Sequence, residues 1–212
     1  MQASGAVEPG SFRYWEMVIT VLRGPYRGRE FRFTADSITL GKAPQNDIPL
    51  PDETVSRSHV EILREGRGYL LRDLGSTNGT FLDGSEIREA FLRTGSQVTV
   101  GKTRFRFRAV QRRVEADPYD GNEFEGLVGS TPEMKRAFGL ARAVAGLELT
   151  VLLLGETGTG RRSLAAAIHR LSTGNQLPYT VVDCSVELPS RVERLLFQTR
   201  TGVLERSSGG TV

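Results

Sequence analysis

Two short polar clusters carry the side chains of this sequence that are best suited to bind a phosphate ester. The first is Val55-Ser56-Arg57-Ser58-His59, and the second runs from Asp73 to Thr80 (DLGSTNGT). Ser56 and Thr77 supply hydroxyl groups, and Arg57 supplies a planar fork of five donors. Hydroxyl and guanidinium groups suit phosphate oxygens, so the two clusters predict an anion-binding site.

A third, smaller cluster lies upstream and supplies a second cation. Lys42 directly follows Gly41, which closes the short run Ile38-Thr39-Leu40. Asn78, in the second cluster, adds an amide with a donor and an acceptor side. A phosphorylated threonine carries about two negative charges and three acceptor oxygens, so its capture needs several converging donors and at least one cation. The three clusters together meet that requirement.

The elements that must position these clusters are predicted to be short β-strands. Runs with a period of two alternate with turn signals from Tyr14 to Ala109, the pattern typical of an all-β sandwich. The clearest run is Thr103–Arg108, whose phenylalanines face one side and whose arginines face the other. Asn78-Gly79 is predicted to form a two-residue hairpin turn, because both positions tolerate positive φ.

The three clusters, in this order and spacing, resemble those of the FHA (forkhead-associated) family, the readers of phosphothreonine peptides, over about residues 17–109. The resemblance implies an FHA (SMAD/FHA-like) β-sandwich whose loops at one end hold the phosphate. It assigns phosphopeptide contacts to Lys42, Ser56, Arg57, Thr77 and Asn78, the last of these to the peptide main chain. It assigns structural support to Gly41, His59 and Gly79.

Each assignment also has a structural alternative. Lys42 can be a solvated loop lysine, Ser56 a turn cap, and Asn78 a hairpin residue alone. His59 can be an ordinary core histidine. The family usually carries arginine at the position of Lys42, and a lysine keeps the charge without the bidentate fork, so we expect weaker or geometrically less strict binding.

The sequence changes character after the predicted sandwich. Residues 111–126 are acidic and turn-rich and are predicted to be a linker, and residues 1–12 are predicted to be a tail. A helical pattern then begins at Pro132, followed by the apolar run Thr150–Leu154, a glycine-rich loop and a second helical pattern from Arg162. This βαβ-like order predicts a second domain over residues 127–212, after an FHA domain over residues 13–110.

The glycine-rich loop has the context of a phosphate-binding loop. Gly155–Arg162 (GETGTGRR) follows an apolar run predicted to be a strand and precedes a helix. The segment from Leu127 onward resembles the AAA+ ATPase domain of the sigma-54-dependent transcription activators, the bacterial enhancer-binding proteins. The segments that carry the resemblance are Leu127–Ser130, Gly155–Arg162, Ala167–Ser172, Val182–Cys184 and Gly209–Val212. The nucleotide contacts that it implies are Val128, Gly129, Gly155, Thr157, Gly158, Thr159, Gly160, Arg161 and Arg162.

Several departures from that family argue against catalysis. Arg161 stands where the family has the loop lysine, and Arg162 stands where it has glutamate. The sigma-contacting loop expected after Leu195-Leu196-Phe197 is missing, and the sequence ends at Val212, before the metal-binding carboxylates. Phosphoryl transfer depends on such positioned groups, so we expect a truncated α/β P-loop fragment without ATPase activity. No metal or cofactor is expected, and bound ATP is the alternative.

Composition excludes several classes of protein. The chain is 38% hydrophobic and 25% charged, which is typical of a globular protein. A single cysteine, Cys184, rules out an internal disulfide and fits a reducing compartment. No apolar run is long enough for a membrane span, Met1–Gly5 lacks the charged-then-apolar pattern of a signal sequence, and no Lys/Arg block indicates DNA binding. We expect a cytoplasmic protein.

Three functional hypotheses follow. The leading one is a non-catalytic phosphothreonine-binding regulator in bacterial transcription control, whose partner is a Ser/Thr kinase or its substrate. The alternative is an ATP-dependent sigma-54 activator of which this chain is a truncated representative. A third is a subunit that inserts into the ring of an intact sigma-54 activator. We also expect residues 127–212 to be the less stable half, with strands near 150–154 and 179–183 that have open edges or pair with each other.

Overall fold

The computed structural model describes residues 10–66, 68–172, 175–184, 189–197, 202–207 and 209–212. These divide into two compact units. One unit is residues 13–113, and the other joins residues 114–212 to the amino-terminal residues up to Phe12. Among the described residues, no helix is both long and apolar enough to span a membrane.

The first unit is an all-β sandwich of two sheets, as the alternating runs predict. One sheet has six strands in the order β2-β1-β11-β10-β7-β8, and the other has five in the order β4-β3-β5-β6-β9. β3 and β4 pair in parallel, and the pairs β1–β2, β10–β11, β7–β10, β7–β8, β3–β5, β5–β6 and β6–β9 are antiparallel. The strands are β1 (Ser11–Arg23), β2 (Glu30–Phe33), β3 (Ser37–Gly41), β4 (Ile48–Pro49), β5 (Val60–Glu65), β6 (Gly68–Asp73), β7 (Thr80–Leu82), β8 (Ser85–Ile87), β9 (Glu89–Leu92), β10 (Gln97–Val100) and β11 (Thr103–Glu115).

The core of the sandwich lies between the two sheets. In the run Thr103–Arg108, the side chains that face the other sheet are buried, with Phe105 and Phe107 1% and 0% exposed, whereas Arg104 and Arg106 are exposed. The facing sheet contributes its own alternating apolar residues to the same cluster, among them Ile38, Leu40, Val60, Ile62 and Leu71. Burial of these side chains drives the two sheets together and leaves the loops at the ends of the strands in solvent.

The predicted hairpin at Asn78-Gly79 is wrong. The tight turn of a hairpin is instead Asp83-Gly84, with φ of +49° and +92°, which joins β7 to β8. Gly79 does have a positive φ of +72°, but the strands on either side of it, β6 and β7, belong to different sheets. The dipeptide therefore lies in a loop that crosses the sandwich, because local conformational freedom does not decide which strands pair.

The second unit contains helices and one short hairpin. Its described elements are β12 (Glu123–Phe124), β13 (Leu127–Val128), α1 (Pro132–Ala145), α2 (Arg161–Leu171), α3 (Pro189–Phe197) and α4 (Val203–Arg206). Thr131 caps α1, its hydroxyl accepting a hydrogen bond from the amide of Met134 at 3.3 Å. The apolar cluster of this unit is small and centres on Phe124, Phe138, Ala141 and Ala167.

The strands predicted in the second unit are absent from its described residues. Residues 150–154 form no strand, and Leu152 and Leu154 are 80% and 84% exposed. Around position 179 there is an isolated parallel bridge between Tyr179 and Thr211, so the two predicted strands do not pair with each other. A strand needs a neighbour for its backbone N–H and C=O groups, and the described chain supplies none beside residues 150–154.

The segments predicted as linker and tail are partly ordered. Strand β11 continues to Glu115, and the amide of Ala116 donates to the carbonyl of Gly10 at 2.7 Å. Further along, Tyr119 packs edge-on against Phe124, at 5.2 Å between ring centroids. The predicted linker of 111–126 therefore supplies part of the apolar cluster of the second unit. Residues 1–9 of the predicted tail lie outside the described residues.

Candidate ligand-binding site at one end of the sandwich

Three loops of the first unit meet at one end of the sandwich. They are the loops 42–47, 50–59 and 74–79, which follow β3, β4 and β6. Lys42 N donates to Ser56 O at 2.9 Å, and Leu74 N donates to His59 O at 2.9 Å. These backbone hydrogen bonds join loops that are distant in sequence, so the polar clusters predicted from the sequence come together in space.

Gly41 stands where the first loop lies against the backbone of the second. A Cβ atom built on Gly41 would lie 2.3 Å from the carbonyl oxygen of Arg57. No real side chain tolerates that distance to a backbone atom, so only glycine fits without moving the loop. The position before Lys42 is therefore fixed by close packing of main chain on main chain.

His59 lies beneath the loops and ties two of them together. Its side chain is fully buried. Nδ1 accepts a hydrogen bond from the amide of Ser56 at 3.1 Å, and Nε2 lies 3.2 Å from the carbonyl oxygen of Gly79. An accepting Nδ1 places the proton on Nε2, which then donates to Gly79. Burial lowers the pKa of His59, which keeps the ring in this neutral form.

Asp73 organises the third loop. Its Oδ1 accepts hydrogen bonds from the amides of Gly75 and Ser76 at 2.8 and 2.7 Å, and its Oδ2 accepts from the hydroxyls of Ser76 and Thr80. Burial works against ionisation of this carboxyl, but the hydrogen bonds outweigh it and the pKa of Asp73 is lowered. Asp73 has no predicted role, although an aspartate whose side chain accepts from the amide two positions on, here Gly75, is a common turn-forming arrangement.

Asn46 is a further supporting residue that the sequence analysis missed. Its side chain is buried, and Nδ2 donates to the carbonyl oxygens of Ala43 and Arg57, both at 2.7 Å. It therefore holds the first loop against the second. A turn-forming asparagine after a strand was the available signal, but its partner lies 11 positions away and cannot be read locally.

Asp52 anchors the second loop to the sheet. Its Oδ1 accepts from the hydroxyl of Thr54 at 2.6 Å, and its Oδ2 accepts from the hydroxyl of Thr103 at 2.8 Å. Burial opposes ionisation, but these hydrogen bonds prevail and the pKa of Asp52 is lowered. Asp52 was not selected from the sequence either, because Thr103 is 51 positions away.

The residues predicted to contact the ligand lie above this support. The amide of Thr77 donates to Ser56 Oγ at 3.1 Å, so the two hydroxyl-bearing residues are side by side. Asn78 Nδ2 donates to the carbonyl oxygen of Thr54 at 2.8 Å. Arg57 is exposed, and no ion pair to its guanidinium occurs within the described residues. The Nζ of Lys42 pairs with Oε2 of Glu53.

The glycine-rich loop of the second unit has different surroundings. Gly155–Thr159 is exposed, and the hydroxyl of Thr159 donates to the carbonyl oxygen of Glu156 at 2.8 Å. Gly158 and Gly160 have positive φ, and α2 begins at Arg161. The hydrogen bonds of this loop are therefore local, made within the turn itself.

The remaining residues assigned to the nucleotide lie near that loop or face solvent. A Cβ on Gly160 would lie 3.8 Å from Leu127, so β13 passes close to the start of α2. Val128 is 82% exposed, and Gly129 packs against Phe138. Arg162 forms an exposed ion pair with Asp183 at 3.4 Å. No cluster of His, Cys, Asp and Glu that could hold a metal occurs within the part of the chain that the structure describes.

Two family models match the chain, one for each unit. Residues 20–111 match the family described as the inner membrane component of T3SS, cytoplasmic domain. Residues 127–210 match the sigma-54 interaction domain. The two matches fall on either side of the predicted linker.

Curated relatives align with the first unit. The glycogen accumulation regulator GarA of Mycolicibacterium smegmatis is 38% identical over 90 residues, which make up 42% of this chain and 57% of that protein. An oxoglutarate dehydrogenase inhibitor of Corynebacterium jeikeium is 37% identical over 90 residues, 42% of this chain and 62% of that protein. The chain therefore spans about three fifths of the length of these relatives.

Solved structures align with the same region. The crystal structure of the FHA domain of a Chlamydia trachomatis protein is 31% identical, covers 44% of this chain and 96% of its own, and has a TM-score of 0.42. Mycobacterium tuberculosis EmbR, in complex with a low-affinity phosphopeptide, is 28% identical over 44% of this chain and 24% of its own, with a TM-score of 0.41.

Proposed function

We propose that this chain, whose first unit carries an FHA domain, is a non-catalytic regulator that binds a partner protein through a phosphorylated threonine. The phosphate would bind among Lys42, Ser56, Arg57 and Thr77, and Asn78 would hold the peptide main chain. The partner would be a Ser/Thr kinase or one of its substrates.

The convergence of the three loops carries this proposal. Ser56 and Thr77 lie together, joined by a 3.1 Å hydrogen bond, and His59 holds Ser56 in one loop and Gly79 in the other. The exposed guanidinium of Arg57 is free of ion pairs within the described residues and is available to an anion. Charge-assisted hydrogen bonds from such a cation to phosphate are among the strongest in proteins. Donors held in place before binding lose little entropy when the ligand arrives.

The curated relatives support the general class of function proposed here, a regulatory protein. One is named as a regulator of glycogen accumulation and the other as an inhibitor of oxoglutarate dehydrogenase. For this chain we carry over only the general mode of action, control of another protein by binding to it. The match to the sigma-54 interaction domain favours a partner in transcription control.

We further propose that residues 127–212 act without catalysis. Arg161 and Arg162 occupy the positions where the resembled family has lysine and glutamate, and the loop before them is exposed. An arginine is longer and planar and does not replace a compact ammonium within a phosphate-binding loop. Such a region would contribute contacts to a partner, for which an intact sigma-54 activator ring is the candidate.

Binding of the full chain to three peptides of one sequence tests the main proposal. The peptides carry phosphothreonine, phosphoserine or unmodified threonine, and calorimetry measures each dissociation constant. We expect measurable affinity for the phosphothreonine peptide and weak or no binding of the other two. Equal affinity for the unmodified peptide would contradict the proposal.

A further inference from the structure

An ion pair inside the candidate site already occupies one of its two cations. The ammonium of Lys42 contacts the carboxylate of Glu53, which lies in the second loop three positions before Ser56. The side chain of Glu53 is 87% exposed and that of Lys42 is 40% exposed. The carboxylate therefore stands at the solvent rim, beside the ammonium assigned to the phosphate.

This arrangement sets two anions in competition for one cation. A phosphate monoester with about two negative charges would approach the ammonium that Glu53 holds, and the like charges of phosphate and carboxylate repel each other. Either Glu53 must move away from Lys42, or another cation must neutralise it. Because Glu53 is almost fully exposed, a side chain of the bound peptide has access to its carboxylate.

The other acid of the same loop does not create this problem. Both oxygens of Asp52 are engaged by the hydroxyls of Thr54 and Thr103, and the residue is buried. Its charge is thus compensated within the fold, whereas the carboxylate of Glu53 has the Lys42 ammonium as its partner. The electrostatic character of the rim therefore depends on Glu53.

We propose that Glu53 is a specificity-determining residue that favours phosphothreonine peptides with a lysine or arginine close to the phosphothreonine. A basic peptide side chain pairs with Glu53 and releases Lys42 to the phosphate. A peptide with neutral or acidic neighbours leaves the carboxylate uncompensated beside the phosphate. This inference rests on the proposed phosphothreonine binding and adds the charge of the preferred ligand.

The test compares three phosphothreonine peptides that differ only in residues next to the phosphothreonine, which are lysine, alanine or glutamate. Fluorescence anisotropy gives the affinities of the full chain, of Glu53→Gln and of Glu65→Gln. Glu65 is also exposed but lies at the other end of β5, away from the loops, and so serves as the matched control. The same measurements at high salt show how much of the preference between peptides is electrostatic, because salt screens exposed charges.

We expect the wild type to prefer the lysine peptide and Glu53→Gln to reduce that preference by about two- to fivefold, the range of an exposed ion pair. The reduction should come from tighter binding of the alanine and glutamate peptides. Glu53→Lys should reverse the order and favour the glutamate peptide, and Glu65→Gln should change nothing.

The outcomes separate this inference from the proposed function. Phosphothreonine-dependent binding with the same charge preference in wild type and Glu53→Gln would overturn the role of Glu53 and leave the proposed function intact. Failure of the wild type to bind any of the three phosphopeptides would overturn the proposed function and, with it, the role of Glu53.

Discussion

The loop end of the sandwich and the glycine-rich loop of the second unit both carry sequence patterns suited to phosphate, but their surroundings differ. In the sandwich, Ser56 is held by a buried histidine, and Asn46 links two loops across 11 positions. In the second unit, Thr159 bonds to Glu156, only three positions away. The donors of a motif are therefore preorganised only where contacts from elsewhere in the fold hold them.

The difference arises from what lies under each loop. The loops of the first unit end strands whose apolar residues fill one continuous core between two sheets. The loop at Gly155 follows residues 150–154, which form no strand, and Leu154 is 84% exposed. A loop without a rigid element on one side has fewer constraints on its backbone amides.

The largest expected contrast between the two units is their resistance to unfolding. The second unit has the smaller apolar cluster and the exposed Leu152 and Leu154, so it should open first. Limited proteolysis of the full chain should cut beyond residue 110 and leave a fragment of about residues 12–110. If residues 127–212 resisted the protease while the sandwich was cut, the second unit would be the more stable one.

Substitution of Gly41 should damage the prepared site severely. In Gly41→Ala the new Cβ would meet the carbonyl oxygen of Arg57 at 2.3 Å, so the loops must separate. We expect a loss of about 1–3 kcal/mol in the free energy of unfolding, as for overpacking, and a loss of phosphopeptide binding. Fluorescence of Trp15, the single tryptophan, reports unfolding of the first unit.

Gly146→Ala is the control for that substitution. A Cβ at Gly146 meets nothing within 4 Å, and its φ of −84° is open to alanine. This variant should bind phosphopeptide as the wild type does. Equal stability and equal phosphopeptide binding of Gly41→Ala and Gly146→Ala would show that the contact between the first two loops does not support the site.

Removal of the exposed cation Arg57 should weaken phosphopeptide binding rather than the stability of the fold. Arg57→Ala should cost about 1–3 kcal/mol of phosphopeptide binding, the range for a charge-assisted hydrogen bond. Arg106→Ala removes another exposed arginine, on the outer face of the sheet, and should leave binding unchanged. A similar loss in both variants would indicate a general charge effect.

Lys42→Arg examines the other cation of the site. Arginine keeps the charge and adds the bidentate fork, so phosphopeptide affinity should hold or rise. Calorimetry with the phosphothreonine peptide measures the change. A marked loss would show that the Lys42 ammonium has a role that its charge does not explain.

A smaller effect is expected from pH. Burial lowers the pKa of His59 below its ordinary value, so between the two values the unfolded chain binds more protons than the folded one. Stability of the first unit should therefore fall as pH drops below about 6.5, the ordinary pKa of histidine. The pH dependence of the Trp15 unfolding transition should flatten in His59→Gln and persist in His169→Gln, which replaces the other histidine of the chain.

The smallest expected signal is ATP turnover. Arg161 stands at the position of the loop lysine, and the loop before it is exposed, so pure protein should show no hydrolysis above background with any divalent metal. A colorimetric phosphate assay measures this. Saturable, metal-stimulated hydrolysis that disappears in Gly160→Ala would restore the sigma-54 activator alternative.

The sequence by itself determined the sandwich and the residues grouped at its loop end. The alternation of phenylalanine and arginine in Thr103–Arg108 is a local pattern with a local meaning, because neighbouring side chains of a strand face opposite sides. The polar clusters are likewise short segments, and the structure brings them together at one end of the sandwich. Both are local properties of the chain, which is why they could be predicted.

Only the tertiary structure decided how those clusters are held and which predicted elements exist. The bond from Asn46 to Arg57, the pair formed by Lys42 and Glu53, and the anchoring of Asp52 by Thr103 join positions that no local pattern connects. The same holds for Asn78-Gly79 and for residues 150–154, where the sequence favoured a hairpin and a strand. A strand exists only where another chain segment completes its hydrogen bonds, and that partner is supplied by the fold rather than by the segment itself.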